Sequence, residues 1–346
     1  MNSSKKLIYI ANLRLPTEKA YGIQIAKMCE AFASEGFDVT LVYPHRKNKE
    51  KGDIFSYYSL KNNFRAKEIM VWDFYLPGFL DKIAFIIKNY LSAKALINEA
   101  LKENADIYYT RDELVAYLLS KQNKNVVFEC HRSSNKRKLF YSHFKKINLK
   151  IIAISNGLKE DLVKFGIKDS NILVAHDGVD LEEFDVGISK EEARARVGLP
   201  LDRKIVMYTG HLFEWKGARV LLEATRLITD PRILFVFVGG TDYDIEKFRK
   251  KAEGLNNVLI LGHKPHKDVP FFLKAADVLI LPNSAKEEIS RSYTSPLKLF
   301  EYMVSKRPIV TSDLPSTREV LNETNSYLIK TDNPDALAGG IKKILD

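Results

Sequence analysis

The feature that most constrains the fold is a recurrence: short, nearly continuous apolar runs, each closed by Gly, Pro or polar residues, with helical patterns between them. In the first half the runs are "KLIYIANL", "FDVTLVYP", "ADIYYT", "NVVFEC" and "KIIAIS". In the second they are "KIVMYTG", "ILFVFVGG", "NVLILG", "DVLILP" and "RPIVTSD". Runs this apolar fit strands buried on both faces, which is how strands of parallel sheets read. Helical stripes separate them, as in Ile25, Cys29 and Phe32 of a helix expected over 23–34, and in a long pattern from about 78 to 102. Strand, helix and strand in this order predict parallel βαβ units and an α/β fold. At 346 residues the chain has room for two such domains. The join is expected at 171–187, "NILVAHDGVDLEEFDVG", whose polar, acidic tail reads as linker. The expected domains are 1–172 and 173–346, with ligands beyond the carboxyl ends of the strands and the cleft between domains as the default site.

Charge is unevenly placed. Residues 1–170 hold 29 Lys+Arg against 18 Asp+Glu, whereas 171–346 hold 25 against 26. The densest basic part, "HRSSNKRKLFYSHFKKINLK" (131–150), has seven Lys/Arg and no acid. Such a patch attracts nucleic acid, anionic headgroups or a phosphorylated substrate. Its three aromatics, Phe140, Tyr141 and Phe144, are too few for the interleaving of single-strand binders. In "WDFYLPGFLDKIAFIIKNYL" (72–91), Trp72, Phe74, Tyr75, Phe79 and Leu80 precede an apolar helix, for which core packing is the first reading. Two cysteines, Cys29 and Cys130, exclude a disulfide framework and suggest a reducing cytoplasmic home. The N-terminal apolar run is too short for a signal peptide, and no run approaches 18 apolar residues.

The absent motifs narrow the chemistry. No G-x-G-x-x-G follows a strand, and there is no G-x-x-x-x-G-K-[ST], G-x-S-x-G or H-E-x-x-H. His263 and His266 form an H-x-x-H with only Asp268 close by, a poor metal site. Cys130 and His131 are neighbours in a strand and point to opposite faces, so they make no dyad. Two segments remain. "YTGHLFEWKG" (208–217) follows a strand and places Lys216-Gly217 just before a helix. "TSPLKLFEYM" (294–303) has Ser295-Pro296 as a cap and first-turn proline, followed by Lys298 where an acid would be favoured. A lysine there suits a helix start that holds an anion, with donors from the backbone of Ser295 to Lys298. With Lys216 as a second point charge, the ligand expected is a diphosphate.

These segments resemble the retaining glycosyltransferases of family 4, which use nucleotide-sugar donors and have two facing Rossmann-like domains, the GT-B architecture. The resemblance runs through "HDGVDLEEF" (176–184), "YTGHLFEWKG" (208–217), "FVGG" (237–240), 258–282 and 295–321, and more loosely through 22–42 and "VVFECH" (126–131). It implies a hexosyl transferase that needs neither metal nor cofactor, the donor being a substrate. By resemblance Lys216 and His211 contact the diphosphate, and Ser295, Pro296 and Leu297 hold its oxygens at the helix start. Glu301 accepts from the ribose, His263-Lys264 cups the base, Gly22 lets a loop approach the phosphates, and His131 lies beside the transferred sugar. The acceptor implied is a glycan or lipid-linked sugar, with the basic first domain against an anionic inner membrane surface. A nonhydrolysing nucleotide-sugar epimerase and a basic nucleic-acid-binding protein are the alternatives. The chain departs from the family pattern in three ways. Tyr293 stands where a first glutamate is usual, with Glu287 and Glu288 displaced, and His211 stands where an arginine is usual. The chain also stops at "AGGIKKILD", where relatives usually continue through helices crossing back to the first domain, which suggests a short or trimmed member.

Overall fold

The computed structural model describes residues 4–50, 52–78 and 80–346. The chain divides into two compact units, Met1–Ile154 with Leu158–Ala175, and Ser155–Gly157 with His176–Asp346.

The first unit is built on a sheet of strands β1 (Lys6–Ile10), β2 (Asp38–Pro44), β3 (Arg65–Ile69), β4 (Ile107–Thr110), β5 (Val126–Cys130), β6 (Lys150–Ala153) and β7 (Ile172–Val174). Their order is β3-β2-β1-β4-β5-β6-β7, and every pairing is parallel. The second unit holds β8 (Lys204–Thr209), β9 (Ile233–Val238), β10 (Val258–Gly262), β11 (Val278–Leu281), β12 (Ile309–Ser312) and β13 (Tyr327–Ile329). They are ordered β10-β9-β8-β11-β12-β13, again all parallel. All six residues of β9 and all four of β11 are buried, as their continuous apolar runs predict.

The strands missed by apolar content are those at sheet edges. β3 reads "RAKEI" and is largely solvent-facing, while β7 and β13 have only three residues each. Edge strands are covered on fewer sides, so they need fewer apolar residues. β7 corrects the linker reading: Ile172–Val174 pairs with β6 and belongs to the first sheet. The tail beyond it forms a short helix, Leu181–Phe184, capped by Asp180 and anchored by the buried Phe184. The long helix spans Leu80–Leu101, but neither its start nor the stretch before it packs into the core as expected: Trp72, Tyr75 and Leu80 are exposed, and Phe74 is half-buried. Phe79 lies outside the described residues.

Candidate functional site

In the second unit the strand order reverses between β8 and β11, and open parallel sheets form ligand crevices beyond the strand ends at such a reversal. The loop leaving β8 carries His211, whose ring stacks on Phe213 at 4.8 Å, then a turn of 3-10 helix, Glu214–Lys216. Gly217 follows at φ 73°, and a Cβ there would lie 1.7 Å from the Pro282 carbonyl oxygen just past β11. Only glycine lets the two strand exits approach this closely. The Trp215 carbonyl accepts from Ser284 N at 2.9 Å and Ser290 Oγ at 3.3 Å, tying the loop to the segment after β11. Lys216 is half-buried, its ammonium 4.4 Å from the Trp215 ring centre. Burial lowers its pKa to about 8, opposed by the nearby Glu301 carboxylate.

The second expected segment forms a helix over Leu297–Val304. Pro296, expected at the first helical position, is instead the N-cap residue, and no side chain caps the first turn. Ser295 is not a cap either: its Oγ accepts from Asp177 N at 2.9 Å and fastens the chain entering this unit. The first-turn N–H groups, Leu297 and Lys298 among them, are thus left without a side-chain acceptor, as an anion site at a helix start needs. Lys298 points inward, 7% exposed, with its Nζ 4.2 Å from the Tyr208 ring centre. That ammonium has no hydrogen-bond partner among the described residues. Burial drives its pKa well below the ordinary lysine value, the neighbouring Lys216 pushes it further down, and Glu301 pulls it back. A buried, unpartnered cation beside a second cation is costly unless an anion completes the site.

Glu301 lies one helical turn on, its side chain mostly buried. His266 reaches it: Nε2 is 3.6 Å from Glu301 Oε1, while Nδ1 is 3.1 Å from Glu183 Oε1. His263 is exposed and Lys264 half-buried in the same loop after β10. The H-x-x-H therefore works as a brace in which His266 is placed between two carboxylates, a role that sequence spacing did not reveal. Burial alone would lower the pKa of His266, but Glu183 and Glu301 overcome it and raise it to about 9. A raised histidine pKa contributes stability that is complete below the unfolded value near 6.5 and is lost as pH rises through about 9. The stability advantage of wild type over His266→Gln should be roughly 2–3 kcal/mol at pH 6 and shrink steadily between about pH 6.5 and 9. Thermal melts of both proteins across that range check this; a constant gap would reject the charged brace.

In the first unit, β5 ends in a polar cluster. Glu129 and His131 are two apart, and His131 Nε2 lies 3.0 Å from Glu129 Oε1. Gln24 Nε2 donates to the same carboxylate at 2.9 Å, and Arg111 Nη1 donates to Gln24 Oε1 at 2.8 Å. Burial would raise the Glu129 pKa, yet the bond with His131, then its charge and that of Arg111, holds it below the ordinary value. Glu129, Gln24 and Arg111 escaped the sequence reading, although a lone acid inside "VVFEC" two residues before His131 was the available signal. Gly22 is not in a loop but in the first turn of a helix, Ala20–Ser34. A Cβ on it would stand 2.1 Å from Tyr58 Oη and 2.6 Å from Thr17 Cγ2, so packing by itself requires glycine.

The matches to known proteins agree with this geometry. The model of the family "Glycosyl transferases group 1" matches residues 189–346, and that of "Glycosyltransferase Family 4" matches residues 22–183. The chain belongs to glycosyltransferase family 4. This glycosyltransferase is 28% identical over 231 residues to the putative teichuronic acid biosynthesis glycosyltransferase TuaC of Bacillus subtilis, covering 66% of this chain and 55% of that one. It is 26% identical, over 100% of its length and 90% of the relative's, to the Escherichia coli UDP-Gal:alpha-D-GlcNAc-diphosphoundecaprenol alpha-1,3-galactosyltransferase. Matches to the first relatives span about half of those proteins. Among solved structures, Anabaena Alr3699/HepE in complex with UDP and glucose aligns with TM-score 0.72 at 15% identity, covering 99% of this chain and 90% of that one. The two Rossmann-like units of the glycosyltransferase are those of the GT-B fold.

Proposed function

We propose that this glycosyltransferase moves a hexosyl unit from a nucleoside-diphosphate sugar to a hydroxyl of a glycan or lipid-linked acceptor, with retention of configuration. The observation that carries this reading is Lys298, a buried ammonium with no hydrogen-bond partner among the described residues, next to Lys216 and an uncapped helix start. Two cations and a row of N–H donors suit a diphosphate, whose charge grows as the sugar leaves. In the transfer, the bond from the anomeric carbon to the β-phosphate oxygen breaks and the acceptor oxygen bonds to that carbon on the same face. The acceptor proton passes to the departing phosphate. Lys216 and Lys298 stabilise the developing negative charge in the place a divalent cation takes in other transferases, which supports a metal-independent mechanism. In this reading Glu301, held by His266, accepts from the ribose, and His263 and Lys264 flank the base. His211 lies at the diphosphate, Gly22 near the donor phosphates and His131, oriented by Glu129, beside the sugar.

The relative acting on a diphosphoundecaprenol-linked sugar supports a lipid-linked acceptor, and the reading places this protein in the cytoplasm. No helix among the described residues is long and apolar enough to cross a membrane; the attachment we propose is peripheral. Nucleic acid is disfavoured as the partner of 131–150: Tyr141 and Phe144 are fully buried, Phe140 packs edge-on against Tyr117, and Arg137 is paired with Glu113. Stacking platforms for bases are therefore not on offer there.

Calorimetry with inorganic diphosphate and a panel of nucleoside diphosphates tests the donor site. Lys298→Met keeps the buried stem and removes the charge, and should weaken diphosphate binding by about 1.5–3 kcal/mol. Its thermal stability should hold or rise, because an uncompensated buried charge is removed. Failure of every nucleoside diphosphate to bind the wild type would overturn the reading.

A further inference from the structure

Eleven of the 22 large apolar side chains that are exposed among the described residues fall between Met70 and Leu91. We propose that this segment is a lipid-docking face, inserting its apolar side chains into the interface of an anionic membrane. Monomeric proteins seldom expose so concentrated an apolar patch without a partner.

The helix Leu80–Leu101 has two halves of different construction. Its second half buries Leu96, Ile97 and Ala100 in the ordinary way. The first half buries only Ala84 and Lys88, a small and a polar group, and turns Ile83, Ile86, Ile87 and Tyr90 outward. Those four recur at i, i+3, i+4 and i+7, so they form one stripe along the helix. The preceding loop adds Trp72 at 77% exposure and Tyr75 at 65%. It is held in place: the nearly buried Lys88 ammonium binds Asp73 at 3.0 Å and sits 3.7 Å from the Tyr75 ring centre, and Arg46 binds Asp73 at 3.2 Å. The apolar residues are thus presented on a fixed scaffold, and little ordering remains to be done on binding.

Charge identifies the occupant. Lys82 and Lys94 flank the stripe, against the single exposed acid Asp81 on that part of the helix. The helix Glu113–Ser120 packs beside the long helix, and Lys138–Lys146 packs beside Glu113–Ser120. That third helix and its approach expose Lys136, Lys138, Lys145 and Lys146 together with Leu139. A second copy of this chain would bring like charges together across a two-fold contact, whereas anionic headgroups neutralise them. Trp and Tyr beside lysines and an aliphatic stripe are the composition favoured at the membrane–water interface. The proposal deepens the reading of a membrane-held acceptor and rests on it, but leaves the donor site untouched.

The test is co-sedimentation of the full chain with vesicles of phosphatidylcholine containing 30% phosphatidylglycerol, beside fluorescence of Trp72. Wild type should partition to these vesicles at low salt with a blue-shifted emission that Trp72→Phe removes. The triple variant Ile83→Ser, Ile86→Ser and Tyr90→Ser should lose about tenfold or more in partitioning. Because all three positions are exposed, its nucleoside-diphosphate affinity and melting temperature should match the wild type. Equal partitioning of the variant would overturn this face as the inserting element while leaving the membrane reading standing on charge. Wild type that ignores the vesicles would overturn both, and a wild-type dimer that the triple variant dissociates would overturn this face as a lipid-docking one.

Discussion

Lys216→Ala should lower turnover by roughly 2–4 kcal/mol of transition-state stabilisation, the size of effect seen when one preorganised donor to a developing oxyanion is removed. The lysine is set by the 3-10 turn after β8, with Trp215 beneath it and Glu301 as the one carboxylate that tunes it. A charge useful only once negative charge builds on the leaving group should show its loss in kcat more than in KM. The pH profile gives a second readout. With a pKa of about 8 in the free protein, Lys216 loses its proton as pH rises, so kcat/KM should fall above pH 8 in the wild type. That alkaline limb should vanish in the alanine variant. Folding should not suffer: a folded-state pKa below the unfolded one means that the ammonium costs stability at neutral pH, and the cost disappears with it. Unchanged turnover at saturating donor would remove Lys216 from the site.

Gly217→Ala should be the most damaging single methyl in the second unit, about 3–5 kcal/mol. Two penalties coincide. The backbone at φ 73° is one that L side chains seldom adopt, and the new Cβ would fall 1.7 Å from the Pro282 carbonyl oxygen. The comparison that separates them is Gly254→Ala, where φ is 80° but nothing stands within 4 Å of the added atom. Gly254→Ala should cost only the conformational part, about 1–2 kcal/mol. In thermal melts the second unit should drop by roughly 10 °C for Gly217→Ala and by a few degrees for Gly254→Ala. Equal drops would mean that the loop yields and that β8 and β11 exits are not clamped together.

The proposed anion site was legible where it depended on local pattern. An apolar strand followed by Gly and a Lys-Gly before a helix, and a Ser-Pro helix start with a lysine, each have a backbone reason to sit where they do. Partnerships between distant residues were not legible. Ser295 reads as a cap until Asp177 N is seen to use its hydroxyl, and His263 and His266 look equivalent until one is found between Glu183 and Glu301. In the basic stretch, Arg137 reads as one of seven free charges, but the partly buried ion pair with Glu113 withdraws it from the surface.

Two parallel α/β units, the strands of their interiors and the two turns proposed to hold an anion could be read from the residues alone, because burial on both faces demands continuous apolar runs and special backbone angles demand glycine or proline. Folding had to be seen to learn that Lys298 lies buried beside Lys216, about 80 residues away, that His131 meets Glu129, and that the stripe from Ile83 to Tyr90 faces outward. Helical periodicity says which residues share a face, and not whether that face meets the core or the solvent. A charge acquires its pKa from neighbours and burial that only the folded chain supplies.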